Sequence, residues 1–239
     1  MNILICFIGL QRSISQTHNN LKKSIYDNNN KFITIFVTWE SENTDEFIRC
    51  FPEAIIYKIP NIYINNNAEF DKWSSNINMH CSWIGTYLSN RDALFNYYRQ
   101  IYLWYKSALI LETYKEIDII IRCRTDIEVN GDTIKEYYAR LNINDILFPK
   151  EPKYGFLENC DCPDTLFMGK PTTVISVLKI LDHIEYIYNT YNHPIQPETT
   201  MYFMVKYKKY NLQYMNNSIN ICRYDNRSKL EIWNSEKNI

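Results

Sequence analysis

The sequence predicts an α/β fold, a single domain on a mostly parallel sheet with helices on both of its faces. Three observations predict it. Runs such as KFITIFVT and IDIII are short and nearly continuous in β-branched and aromatic residues, as strands covered on both sides are. Between them lie stretches whose apolar residues recur three and four apart, the helical period. The 239 residues, 46% hydrophobic and 22% charged, show neither an internal repeat nor a clean linker, so they suffice for one large core.

Taken in order, MNILICFIGL opens the chain as the first buried strand. It lacks the basic flank and small-residue cleavage site of a secretory leader, and it is far shorter than the ~20 residues of a membrane span. Gly9-Leu10-Gln11-Arg12-Ser13 makes a polar turn, and Leu21 and Ile25 mark one face of a helix over 17–28. A strand over 31–38, a short helix over 43–50 and a third strand over 54–58 precede an Asn-rich loop over 61–68. That β-α-β-α-β order is the pattern of a parallel sheet with crossover helices. The longest helical stretch, 91–116, places Leu94, Tyr98, Ile101, Tyr105, Ala108 and Leu109 on one seam and leads into the strand IDIII. Beyond it we expect strands over 145–148 and 165–168 with a loop over 149–163, helices over 172–189 and 198–209, and a short strand over 220–224. The domain then spans 1–233, and a polar tail over 234–239 frays.

Composition narrows the function classes. A net charge of −1 lacks the basic excess of a nucleic-acid-binding protein, so any anion must be held by local positive groups. Seven Cys without a C-x-x-C pair, with Cys160 and Cys162 too close for a zinc knuckle, read as reduced, mostly buried thiols. His18, His80, His183 and His193 have no metal-ligand spacing, and His183 falls on a helix surface. The 5 Gly, the 20 Tyr and the abundant Asn, Ile and Lys suit an AT-rich genome, that of a large DNA virus, a low-GC bacterium or a protist. With no membrane span, a soluble protein of the cytoplasm, the host's if viral, is the expectation.

The run IDIIIRCRTDIEV turns abruptly from apolar to charged at Arg122, Arg124, Asp126 and Glu128. In open parallel sheets ligands sit outside the carboxyl ends of the strands, where these charges fall. Asp126 and Glu128 are two apart, so an extended chain points both carboxylates to one side, an oxygen pair suited to Mg²⁺ or Mn²⁺. A solvated cluster of salt bridges is the other reading of the same four charges.

GLQRS after the first strand, the helix RQIYLWYKSALILE, the run IDIIIRCRTDIEV and the segment PDTLFMGKP together resemble the small viral and bacterial glycosyltransferases related to WavE-type lipopolysaccharide synthesis proteins. The resemblance runs over about residues 3–207, with 108–128 and 164–169 the specific parts. It implies the glycosyltransferase A-type, Rossmann-like fold, with a nucleotide-sugar half over about 1–130 and an acceptor half over 131–233. It further implies a nucleotide-diphosphate sugar as donor, a UDP-sugar first, and a glycan, lipid-linked sugar or protein as acceptor.

Carried over by position, Asp126 takes the place of the metal carboxylate of a DxD-like motif, but Arg124 stands where the earlier Asp is expected. Either Glu128 completes the pair around Mn²⁺ or Mg²⁺, or Arg124 supplies the positive charge instead. Gly9 and Arg12 match the turn that meets the nucleoside and diphosphate, and Thr38, Trp39 and Glu40 end the second strand near the base or ribose. Arg99 and Lys106, seven apart on one helix face, can help neutralise the departing diphosphate. An inverting transfer needs a base, for which Asp164 in PDTLFMG and Glu198 in QPETTMY are the candidates. Two other functions compete: a protein of the same fold that binds nucleotide sugar without turnover, and a nucleotidyltransferase using paired carboxylates.

Overall fold

The computed structural model describes residues 1–65, 67–76, 91–150, 162–191 and 197–222. The first half follows the expected alternation: β1 (Asn2–Ile8), α1 (Ile14–Ile25), β2 (Lys31–Trp39), α2 (Asp45–Cys50) and β3 (Ile55–Ile59). Helices α3 (Ala68–Asn76) and α4 (Arg91–Leu111) then return the chain to β4 (Ile119–Cys123). The second half runs through β5 (Ile127–Gly131), β6 (Asp145–Pro149), β7 (Leu166–Gly169), α5 (Pro171–Leu178), α6 (Ile184–Tyr191), α7 (Pro197–Tyr207), β8 (Asn211–Met215) and β9 (Asn217–Ile221).

Among the described residues, seven strands form one sheet in the order β3-β2-β1-β4-β7-β6-β8. It is mostly parallel, with β7 alone running against its neighbours β4 and β6. Successive residues of β1 show how it is covered. Leu4, Cys6 and Ile8 enter a core shared with α4, α5, α6 and α7, whereas Ile3, Ile5 and Phe7 enter a second core with α1 and α2. All six are at most 4% exposed, so the period of two divides the strand between two buried faces rather than between core and water. The strand order reverses at β1: its crossover through α1 leads to β2 on one side, while β4 lies on the other. Such a reversal opens a crevice at the carboxyl ends of β1 and β4.

Several expectations are corrected. The run 117–129 is not one strand: β4 ends at Cys123, and β5 pairs with β9 in a separate two-stranded sheet. The bend between them is held from outside. The Thr125 hydroxyl donates to the Leu10 carbonyl, the Thr17 hydroxyl donates to the Thr125 carbonyl at 2.6 Å, and the Cys222 N–H donates to the Asp126 carbonyl at 2.7 Å. These bonds satisfy backbone that would otherwise need a strand partner. On β5, the Asn20 amide both donates to the Val129 carbonyl (3.0 Å) and accepts from its N–H (2.7 Å), so α1 serves as a partner at that strand's edge.

Helix α1 begins at Ile14, three residues before the expected start, directly after Ser13 in left-handed backbone (φ 53°). Leu109 is 37% exposed, and the α4 seam closes instead through Phe95, Trp104 and Leu111. The expected helix over 172–189 is broken by a 3-10 turn, Lys179–Asp182, which lets Ile180, Ile184 and Ile187 all reach one core. Helix α3 and strand β8 were not expected. Cys6, Cys50 and Cys123 are buried free thiols, Cys162 is buried and Cys222 half-buried, while Cys81, Cys160, His80, His193 and the tail lie outside the described residues. His183 is half-buried, its ring 5.4 Å from that of Tyr207. No helix of the described residues is long and apolar enough to cross a membrane.

Candidate functional site

The site is built where β4 leaves the sheet. Ile120 and Arg122 point to the α4 side, and Arg124 continues past the strand's end, its N–H still bonded to the Thr165 carbonyl at 2.9 Å. The Arg124 guanidinium grips Asp126 bidentately, Nε to Oδ1 at 2.8 Å and Nη2 to Oδ2 at 2.7 Å. Its Nη1 lies 3.5 Å from Asp164 Oδ1, and Asp164 Oδ2 accepts from Gln100 Nε2 on α4 at 2.7 Å. Burial by itself would lower the Arg124 pKa, but the charges of Asp164, Asp126 and Glu198, with the Asp126 hydrogen bond, outweigh it and hold Arg124 above the ordinary guanidinium range.

Arg122 lies deeper. Its guanidinium sits 5.2 Å from the Trp104 ring and 5.9 Å from that of Phe167, and its Nε and Nη1 have no hydrogen-bond partner. Burial lowers its pKa to about 10, a shift Asp164 opposes and Arg124 reinforces, so it remains charged at neutral pH.

Across the crevice, Gly9 takes φ 123°, and a Cβ there would meet nothing within 4 Å, so the backbone faces open space. Arg12 is exposed on the same turn. Because Thr125 bonds Leu10, this turn and the Arg124–Asp126 bend are held together. Thr38, at the end of β2, is fully buried with its hydroxyl unpartnered. Arg99 lies 5.0 Å above the ring of its neighbour Trp39, and Lys106 lies 5.0 Å above Tyr102, which stacks on Trp39 at 6.3 Å. Arg99 Nε is buried without a partner, and burial lowers that guanidinium's pKa. Buried donors are nearly always bonded in native proteins. Arg99 and Arg122 carry such unpartnered groups on the α4 side of the sheet, whereas Thr38, alternating with Trp39 along β2, carries its own on the opposite face.

Glu198 opens α7 directly after Pro197, as expected, and is half-buried; its charge acts on Arg124 and on Tyr97. Tyr97 in turn donates to Thr200 at 2.8 Å and accepts from Tyr188 at 2.9 Å, which ties α4 to α6 and α7 behind the site. Among the predicted residues, Asp126, Asp164 and Glu198 thus all act on Arg124, Gly9 and Arg12 flank the Leu10 that Thr125 bonds, Arg99 and Lys106 group with Trp39 and Tyr102, and Thr38 lies beside Trp39 in sequence but on the other face of β2. Glu128 does not join them: it lies on β5 opposite Asn220, in the other sheet. Arg122, though part of the charged run, had no role in the sequence reading, and Gln100 and Trp104 were missed. Their sequence signal was slight, a Gln one turn before a Trp on an otherwise apolar helix face.

The expected cation site does not fit these residues. Asp126 is 2% exposed and both its oxygens are taken by Arg124, so it is neither solvent-facing nor free to coordinate. The bend after Cys123 removes the extended geometry that would have aligned it with Glu128. Among the described residues no three His, Cys, Asp or Glu side chains gather as metal ligands.

No protein-family model matches the chain, and no curated protein matches it. Solved structures do resemble it. The apo form of mouse xyloside xylosyltransferase 1 aligns over 90% of this chain and 84% of that one, with 9% identity and a TM-score of 0.49. The galactosyltransferase LgtC, in complex with donor and acceptor sugar analogs, aligns over 90% of this chain and 73% of that one, with 8% identity and a TM-score of 0.50. At that identity the likeness to LgtC is one of fold, and the fold is the glycosyltransferase A-type expected from the sequence.

Proposed function

We propose that the chain is a glycosyltransferase that moves a sugar from a nucleotide-diphosphate sugar, a UDP-sugar first, to a glycan, lipid-linked or protein acceptor. One observation carries this reading: buried arginine nitrogens without partners, at Arg99 and Arg122, lie on the α4 side of a sheet whose strand order reverses at β1, in a fold shared with a galactosyltransferase. Cleaving a sugar–diphosphate bond builds negative charge on the leaving group, which fixed positive groups stabilise. Arg12 and Arg99 hold the diphosphate from the β1 and β2 sides, and Lys106 adds charge farther along α4. Arg124 faces the charge that develops. Asp164 is engaged by Arg124 and Gln100, and Glu198, whose charge acts on Arg124 from the start of α7, is assigned as the base for the acceptor hydroxyl in an inverting transfer. No step is assigned to Mn²⁺ or Mg²⁺, because Arg124 occupies the carboxylate that would bind it.

A thermal-shift screen of UDP-, GDP-, CMP- and dTDP-sugars, with and without Mn²⁺, tests the reading. A bound donor at a hundredfold excess over Kd adds about 2.7 kcal/mol of stability. Stabilisation by none of the four classes removes the proposal. The doubly held Arg124 also favours a second reading, a protein that binds the donor without turning it over. Stabilisation by a donor that is neither hydrolysed nor transferred selects that one.

A further inference from the structure

Asp126 takes Nε and Nη2 of Arg124, at 2.8 and 2.7 Å, and leaves Nη1. The carboxylate facing Nη1 is that of Asp164, yet its Oδ1 stops at 3.5 Å, past the usual length of a charged hydrogen bond. Reach is not the obstacle. The Arg124 N–H is bonded to the Thr165 carbonyl at 2.9 Å, so the two side chains start from backbones already tied together, and a small turn of the carboxylate would close the gap. What stands against that turn is Gln100, whose Nε2 donates to the other oxygen, Asp164 Oδ2, at 2.7 Å. Gln100 itself is firmly carried. It lies on α4 about one helical turn from Tyr97 and from Trp104. The Tyr97 hydroxyl is bonded to those of Thr200 and Tyr188, and Trp104 is buried in the core.

We propose that Gln100 is a positioning residue: by holding Asp164 Oδ2 from α4 it keeps that carboxylate from closing on Arg124, so that Nη1 stays open to a diphosphate oxygen. This rests on the reading of Arg124 as a diphosphate contact. Without the Gln100 amide, Asp164 turns to Arg124 as its remaining partner, and the two close to a charged hydrogen bond. An arriving anion must then break that pair before it binds. Affinity falls although Gln100 touches no ligand.

The test is inorganic pyrophosphate binding to the full chain in EDTA, followed by calorimetry, for wild type, Q100M, Q100N, D164N and Q100M/D164N, with the melting temperature of each as the check on folding. Q100M, close in volume but without a donor, is expected to bind roughly tenfold more weakly than wild type. Q100N keeps the amide but is one methylene too short to reach Asp164, and shows a similar loss. D164N binds more tightly than wild type, and in that background Q100M costs less than about twofold, because the carboxylate that Gln100 restrains is gone. A role in shaping α4 alone would carry the same loss into both backgrounds. That result overturns the proposal, as does Q100M binding within about twofold of wild type. Should Q100M fail to fold, unchanged binding in Q100N, or weaker binding in D164N, overturns it. A wild type that binds no pyrophosphate defeats the diphosphate reading of Arg124 and the proposal with it, a result distinct from any loss among the variants.

Discussion

Asp126→Ala is the sharpest perturbation of the site, and the structure sets its size. The Asp126 side chain is 2% exposed and that of Arg124 20% exposed, so their paired bonds at 2.7 and 2.8 Å lie largely out of water. Removing one partner of a buried pair typically costs about 3–5 kcal/mol, because the other is left charged and desolvated. Arg124 keeps Asp164 at 3.5 Å and some solvent contact, which places the loss near the lower end, about 3 kcal/mol. In a chain of this size that corresponds to a fall of roughly 6–12 °C in melting temperature. Arg124→Met strands Asp126 instead and costs a similar amount. The double variant Arg124→Met, Asp126→Ala removes both charges and is expected to lose far less than the sum of the two single losses. Thermal melting of the four proteins completes the cycle. Additive losses, or an Asp126→Ala protein melting within about 2 °C of wild type, would refute the buried pair and restore Asp126 to the role of a solvent-facing ligand.

Three further outcomes follow from the same geometry. Arg12→Ala is expected to raise the donor KM about tenfold with kcat little changed, since an exposed diphosphate contact acts in ground and transition states alike, and an unchanged KM assigns Arg12 to solvent. Turnover is expected to persist in EDTA and in Glu128→Gln, because Asp126 is committed to Arg124 and Glu128 sits in the other sheet; chelation that abolishes turnover contradicts the arginine-based charge. Asp145 accepts from the Asn142 N–H and from the amides of Asn142 and Asn211 at 2.8–2.9 Å; burial alone would raise its pKa, but these bonds hold it below the ordinary carboxylate range. A depressed pKa stabilises the fold above the unfolded value and loses that effect as pH falls through the folded one. Asp145→Asn should therefore melt below wild type at pH 7, with the gap closing below about pH 4, and a gap constant to lower pH would refute the assignment.

The sequence by itself determined what is encoded within a few residues. Strands β1, β2 and β3 and helix α4 were legible because apolar spacing of two or three to four declares which sides must leave water, whatever later covers them. The sharp change from Ile121 to Arg122 likewise declared that a strand ends in polar surroundings. Only the tertiary structure decided what those charges do. Thr125 is bent out of the strand by Leu10 and Thr17, which stand 115 and 108 residues away, and that bend moves Glu128 off Asp126's side. Asp164 is fixed by Gln100, 64 residues distant, and Arg122 is enclosed by Trp104 of α4 and Phe167 of β7. The same carboxylate is a free metal ligand in water and an arginine's partner when buried. Its neighbours through space settle the choice, because the energy of a charge depends on its surroundings and on the nearest opposite charge more than on its place in the chain.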